Sequence, residues 1–219
     1  MATKKNEVIS VPKFELKEIV VRVVGDSPLV VHQFGEKARR IMLEAQMKKA
    51  SKGREVKNPV EDFMRSLYWL TPMPDTFTEE AFDQAVADGA RFGFPAIGLK
   101  ASAVSGAYRA GLAKNKTVPQ GAFHIIGGEL LEIKGAPPRM REDMVRLSGI
   151  GAVADIRHRA EFENWYIDIP IQYNTAMISP EQILAYFQAG GFSVGIGEFR
   201  PEKGGMWGRY RLATEADIV

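Results

Sequence analysis

A chain of 219 residues, 45% apolar and 26% charged, has enough material for a full hydrophobic core and the composition of an ordinary globular protein. A formal charge of only +2 excludes a globally polycationic binder, so any nucleic-acid surface has to come from local clustering. The lack of cysteine excludes disulfides and thiolate metal sites and fits a reducing cytoplasm, and no apolar run approaches the length of a membrane span.

In chain order, residues 1–12 read as a flexible arm without the apolar core of a signal peptide. The expected organisation is a single domain over 13–219 with an insertion at about 36–140. Lys17–Val24 alternates as a strand, with Ile19, Val21 and Val23 on one face and Glu18, Val20 and Arg22 on the other. A helix is expected over Glu36–Ala50, with Ala38, Ile41, Met42 and Ala45 turned inward. From Lys37 to Lys57 there are eight basic residues, Lys48, Lys49 and Lys52 among them, against two acidic ones. Such a run serves either as a solvated face or as an accessory phosphate clamp.

Pro59 marks a helix start, with the helix continuing over Val60–Leu70. Thr78 caps a short acidic helix reaching Asp88. Phe92–Ile97 is extended, and Leu99–Leu112 is a helix crowded with alanine, serine and glycine, a face suited to close packing. Ala122–Ile126 and Glu129–Lys134 are expected as a hairpin turning at Gly127-Gly128. Met140–Leu147, Ala152–Arg159 and Asn164–Tyr173 are extended. The last is the clearest strand, with Trp165, Ile167, Ile169, Ile171 and Tyr173 on one face and Tyr166, Asp168 and Gln172 on the other. Ser179 caps a helix that starts at Pro180 and ends at Gly190-Gly191.

The stretch Phe192–Leu212 places Gly195, Gly197, Gly204, Gly205 and Gly208 among Arg200, Lys203, Arg209 and Arg211. Glycine-rich loops allow positive φ and close backbone approach, and rows of exposed N–H groups in them hold anions. This loop and its closing strand, Met206–Leu212, are therefore the principal candidate for contact with phosphates. Alternation puts Met206, Tyr210 and Leu212 on the buried side, and leaves Trp207 free to stack beside Arg209 and Arg211. An ordinary surface hairpin with a charged rim is the competing reading.

Enzymatic signatures fail on context. Gly191–Gly195 matches a nucleophile elbow, but a helix precedes it and no histidine follows it. Gly149–Ala154 matches a dinucleotide fingerprint, but no helical stripe follows. The three histidines are scattered, no nucleophile–base pair emerges from spacing, and no metal or cofactor is expected.

The strongest elements follow a β-α-β-β-α-β order. This predicts an α+β fold with a ferredoxin-like or RRM-like antiparallel sheet, carrying helical and hairpin insertions. First and last strands then become neighbours, and Arg22 joins Trp207, Arg209 and Arg211 on the open face beside Tyr166. The aromatic third-strand signature of an RRM is absent. The glycine-rich loop between last helix and last strand resembles that of the RAMP superfamily, RNA-binding proteins of CRISPR effector complexes with Cas7-like backbone subunits. Phe94–Gly111 is similar to the P-x-x-x-[LI]-K-[GA]-x-x-R element of that superfamily through Pro95, Leu99, Lys100 and, loosely, Arg109. The stretch MREDMVRLSGIGAVADIRHRAEF also resembles uncharacterised phage or prophage proteins. The RAMP resemblance implies sequence-tolerant binding of single-stranded RNA or DNA, and assembly as a homo-oligomer or in a multi-subunit complex. An endoribonuclease of the RAMP type, with His32 as general base, is one alternative; an assembly protein without nucleic acid is another.

Overall fold

The computed structural model describes residues 15–35, 39, 42–44, 46–47, 57–146 and 154–217. The basic residues Lys48, Lys49 and Lys52 and the arm over 1–12 lie outside them. So does most of the helix expected over 36–50, although Arg39, residues 42–44 and Gln46 are helical. Met42, expected to face inward, is exposed.

Among the described residues, ten strands and, beyond the helical positions at 39–46, five helices follow in order. β1 is Leu16–Gly25, β2 Leu29–Val31, α1 Pro59–Ser66, β3 Tyr68–Trp69, α2 Glu79–Ala87, β4 Phe92–Pro95, α3 Ala96–Arg109 and α4 Thr117–Ala122. β5 is Phe123–Ile125, β6 Leu130–Gly135, β7 Arg139–Arg146, β8 Ala154–Phe162, β9 Trp165–Asn174, α5 Pro180–Ser193 and β10 Tyr210–Leu212. The main antiparallel sheet runs β10-β1-β9-β6-β4-β3, with β5 also paired to β9. β1, α3, β5 with β6, β9, α5 and β10 thus give the β-α-β-β-α-β order, and the last strand lies beside the first. The fold is α+β with a ferredoxin-like core. A separate antiparallel sheet, β2-β8-β7, is added to it.

The core follows from alternation on the central strand. Ile167, Ile169 and Ile171 are fully buried beside Trp165 and Tyr173, while Tyr166, Asp168 and Gln172 face the other way. Each such isoleucine contributes about 1.5–3 kcal/mol by burial. Val21 and Val23 of β1 join the same layer. Above it α3 and α5 cross at Gly106 and Gly190, where a Cβ on either residue would run into the other helix's backbone. The small-residue face of α3 is thereby spent on a helix contact. Tyr210 reaches up from β10 and its hydroxyl donates to Ser102 Oγ at 2.9 Å.

Several local expectations change. Gly190-Gly191 does not end α5, which continues to Ser193; the pair admits Ser102 and Tyr210 instead of capping. Its start is as expected, with Ser179 and Gln182 forming a reciprocal capping box. α1 stops at Ser66 rather than Leu70, because Tyr68 and Trp69 pair with Gly93 and Phe92 as β3. β5 and β6 do not form a hairpin. Both run antiparallel to β9, as Phe123↔Tyr173 and Lys134↔Tyr166, so Gly127-Gly128 lies in a bulge along one interrupted strand.

Candidate nucleic-acid interface

The outward positions of the main sheet form a row across four strands. The register pairs Arg211 with Val24, Val24 with Tyr166, and Tyr166 with Lys134. Arg22, two residues before Val24, lies opposite Asp168. Its guanidinium holds Asp168 through Nε at 2.6 Å and Nη2 at 3.1 Å, and Lys134 Nζ takes Asp168 Oδ2 at 3.0 Å. Both cations also sit over the Tyr166 ring, at 4.7 and 6.0 Å from its centroid. Asp168 is 23% exposed, against 31% for Arg22 and 38% for Lys134, so the two cationic heads are the more accessible part of the trio. Hydrogen bonds from Arg22 and then Lys134 hold the Asp168 carboxyl below its ordinary range.

Arg22 and Arg211 therefore share a face with Tyr166, as alternation implies. Lys134 completes that face and was not among the expected site residues; the pattern LLEIK, which turns Leu130, Glu132 and Lys134 to one side, carries the signal. Trp207 does not join it. β10 begins only at Tyr210, Met206 is exposed rather than buried, and Gly208 at φ 64° breaks the alternation between them. The Trp207 ring turns to the second sheet, under the Arg141 guanidinium at 5.0 Å.

The glycine-rich loop is folded tightly on itself and on β2. The N–H groups of Ile196, Glu198, Glu202, Gly205, Trp207 and Gly208 donate to Gly208, Val30, Val194, Arg200, Phe199 and Pro28 carbonyls, respectively. Those donors are not available to an anion. Gly197 lets the loop approach Val30, and Gly205 lets it close on Phe199, where a Cβ would collide with each carbonyl. Gly195 lies against Pro201, and Gly204 caps the 3-10 turn Pro201–Lys203. Arg200 is engaged by Glu202 at 2.9 Å and by the Gly197 carbonyl at 3.0 Å, while Lys203 and Arg209 are exposed. Lys100 is elsewhere, donating to the Gln120 carbonyl at 2.8 Å beside His124.

Beneath the loop lies a charged cluster that sequence inspection missed. Arg159 and Glu161 of β8 are each 3% exposed. Arg139 and Arg141 bind the two oxygens of Glu161 at 2.9 and 2.8 Å, and Arg159 donates to Asp143 at 3.3 Å. The Phe199 ring covers the Arg159 guanidinium at 5.1 Å, from a backbone at φ 52°. Arg159 Nε has no hydrogen-bond partner among the described residues. His32 follows β2 at the rim of this cluster; partial burial, then the nearby Arg159, push its imidazole below the ordinary value.

Fold and site together define an α+β protein whose ferredoxin-like sheet presents an aromatic, charge-paired face. No protein-family model matches the chain, and no curated protein matches it. Among solved structures it is similar to Cmr6 from Pyrococcus furiosus, at 12% identity and a TM-score of 0.36, over 92% of this chain and 100% of that one. A likeness that remote carries no argument about function. Among the described residues no helix is long and apolar enough to cross a membrane, and no cluster of acidic and histidine side chains is arranged to hold a metal ion.

Proposed function

We propose that the protein binds single-stranded nucleic acid, RNA in preference, largely without regard to sequence and without catalysing a reaction. The observation that carries this reading is the row Arg211–Val24–Tyr166–Lys134 with Arg22 on the tyrosine ring. A strand laid across it meets a ring and a guanidinium plane for bases, and three cations for phosphates. Lys203 and Arg209 extend the path toward the glycine-rich loop, whose role is to shape that edge. Lys48, Lys49 and Lys52 act as an accessory clamp, and copies assemble side by side in the manner of Cas7-like backbone subunits, in keeping with the resemblance at Pro95, Leu99, Lys100 and Arg109.

The test is binding of labelled, mixed-sequence single-stranded RNA and DNA across a salt series. Replacing Arg22 and Lys134 together by Ala should weaken binding similarly for every sequence, and reduce the slope of log K against log salt by about 1.4, the share of two phosphates. Tyr166→Ala should cost about 1–3 kcal/mol if a base stacks there. A folded double variant with wild-type affinity and slope refutes the reading.

Cleavage at His32 is the second reading, and one observation favours it. β2 pairs Val31 with Ala160, so the next step of the register sets His32 opposite Arg159. An imidazole kept neutral beside a guanidinium suits proton transfer next to a phosphate. Loss of RNA cleavage in a folded His32→Ala variant supports it; absence of cleavage by the wild type removes it.

A further inference from the structure

Arg211 ends the cross-strand row, yet acids already surround its guanidinium. Nη1 and Nη2 donate to the two carboxylate oxygens of Asp217 at 2.6 and 2.9 Å, and Nε lies 3.2 Å from Asp26. The two acids are held differently. Asp26 belongs to the turn after β1, where its N–H donates to the Arg209 carbonyl at 2.9 Å, so it is part of the sheet edge. Asp217 comes from a lone 3-10 turn, Glu215–Asp217, which contributes no buried residue. That turn is closed on itself: the Thr214 N–H and hydroxyl both donate to Asp217 Oδ2 at 2.7 Å, and the Asp217 N–H returns to the Thr214 carbonyl at 3.0 Å.

The fork of parallel N–H···O bonds that Arg211 gives Asp217 is the one a guanidinium gives a phosphodiester. The carboxylate thus stands where a backbone phosphate would stand, oriented by Thr214 and charged throughout the neutral range. Apart from Arg211, the bonds holding it come from Thr214 of its own turn, which buries no residue, although the carboxylate itself is only 19% exposed. Arg211 would keep its aim after losing Asp217, because Asp26 and the Leu212 carbonyl, 3.2 Å from Nη1, still hold it.

We infer that Thr214–Asp217 is a built-in competitor: Asp217 occupies Arg211 in place of a nucleic-acid phosphate, and a single strand crossing the sheet displaces it. The inference rests on the sheet face being the nucleic-acid surface. Binding is then attenuated in the resting protein, and anything that draws the turn away, such as a partner contacting 214–217, raises affinity at a site it never touches.

Asp217→Asn removes the charge and keeps the shape. With labelled mixed-sequence single-stranded RNA, it should bind about two- to fivefold more tightly at low salt, with a salt slope steeper by about 0.7, the share of one phosphate. The gain should vanish in an Arg211→Ala background. Thr214→Val, which removes one of the bonds holding Asp217, should move both quantities the same way by less. In the wild type, adding RNA should speed hydrogen exchange at the 214–217 amides. If Asp217→Asn binds like the wild type or more weakly while Arg211→Ala weakens binding, the competitor is refuted and the sheet face stands. If Arg22, Lys134 and Arg211 can all be replaced without effect, the sheet face fails and the competitor falls with it.

Discussion

The crossing of α3 and α5 sets where the sheet sits, and Gly106 is its narrowest point. A Cβ built on Gly106 would lie 2.6 Å from the Ala189 carbonyl carbon and closer still to the Gly190 backbone, whereas ordinary contacts begin near 3.4 Å. The obstacle is backbone, so Gly106→Ala forces the helices about 1 Å apart. Overpacking costs about 1–3 kcal/mol and a collision with rigid backbone falls at the upper end, about 2–3 kcal/mol, of which alanine's better helix propensity returns only about 1 kcal/mol. The net expectation is a loss of about 1–2 kcal/mol, or about 2–8 °C in Tm for a chain of this size. Gly121 provides the control: it lies within α4, and nothing surrounds its Cβ position within 4 Å. Gly121→Ala should therefore raise Tm slightly. Paired thermal melts by circular dichroism decide the matter. An unchanged Tm for Gly106→Ala would mean that the helices do not cross there, and the β-α-β-β-α-β packing would have to be redrawn.

Asp168 titrates below its unfolded value because Arg22 and Lys134 hold its charged form, so its contribution to stability is present above about pH 4 and lost as acid protonates it. The stability gap between wild type and Asp168→Asn, followed by denaturant melts, should accordingly close below about pH 4; a gap constant down to pH 2 would remove the trio. His32 is depressed in the folded state, so stability should fall as pH drops below about 6.5, and the His32 ring should titrate below that value by NMR. An ordinary or raised value would separate His32 from Arg159. Phe199 adopts φ 52°, a conformation glycine takes freely and alanine does not. Since Phe199→Ala and Phe199→Gly lose the same ring over Arg159, the glycine variant should be the more stable by about 1 kcal/mol, and equal stabilities would refute the strain.

Local patterns carried the fold wherever one face was dry and the other wet. Trp165–Tyr173 alternates because its even and odd residues meet different solvents, and Ser179-Pro180 announces a helix because the cap and φ are local properties. Glycine was the ambiguous letter. Gly190-Gly191 looks like a helix end, and Gly127-Gly128 like a hairpin, since glycine serves positive φ and close approach alike. Only the partner decides which: for Gly190 it is Ser102, a residue far away in the chain. The β2-β8-β7 sheet was unreadable for the same reason, because nothing local tells β8 to pair with β2.

The site divides along the same line. Which residues point outward was legible, so Arg22, Arg211 and Tyr166 emerged together, and Lys134 would have done so by the same rule. Their charge state was not legible. Asp168 lies 146 residues from Arg22, and no spacing reveals that one carboxylate serves two cations. That pairing changes what the face can be. With Asp168, Asp26 and Asp217 in place, the row is not a reservoir of free positive charge but a set of occupied arginine and lysine heads. Under the proposed function, a nucleic acid would exchange carboxylate contacts for phosphate contacts rather than add new ones. Affinity then depends on how readily each carboxylate yields. Asp168, fixed on the central strand and bound by two cations, resists; Asp217, though its side chain is only 19% exposed, rides on a turn with no buried residue and is the one inferred to give way first. Under the proposed function, the face is consequently expected to bind weakly and with strong salt dependence, and more tightly where many such sites act on one strand.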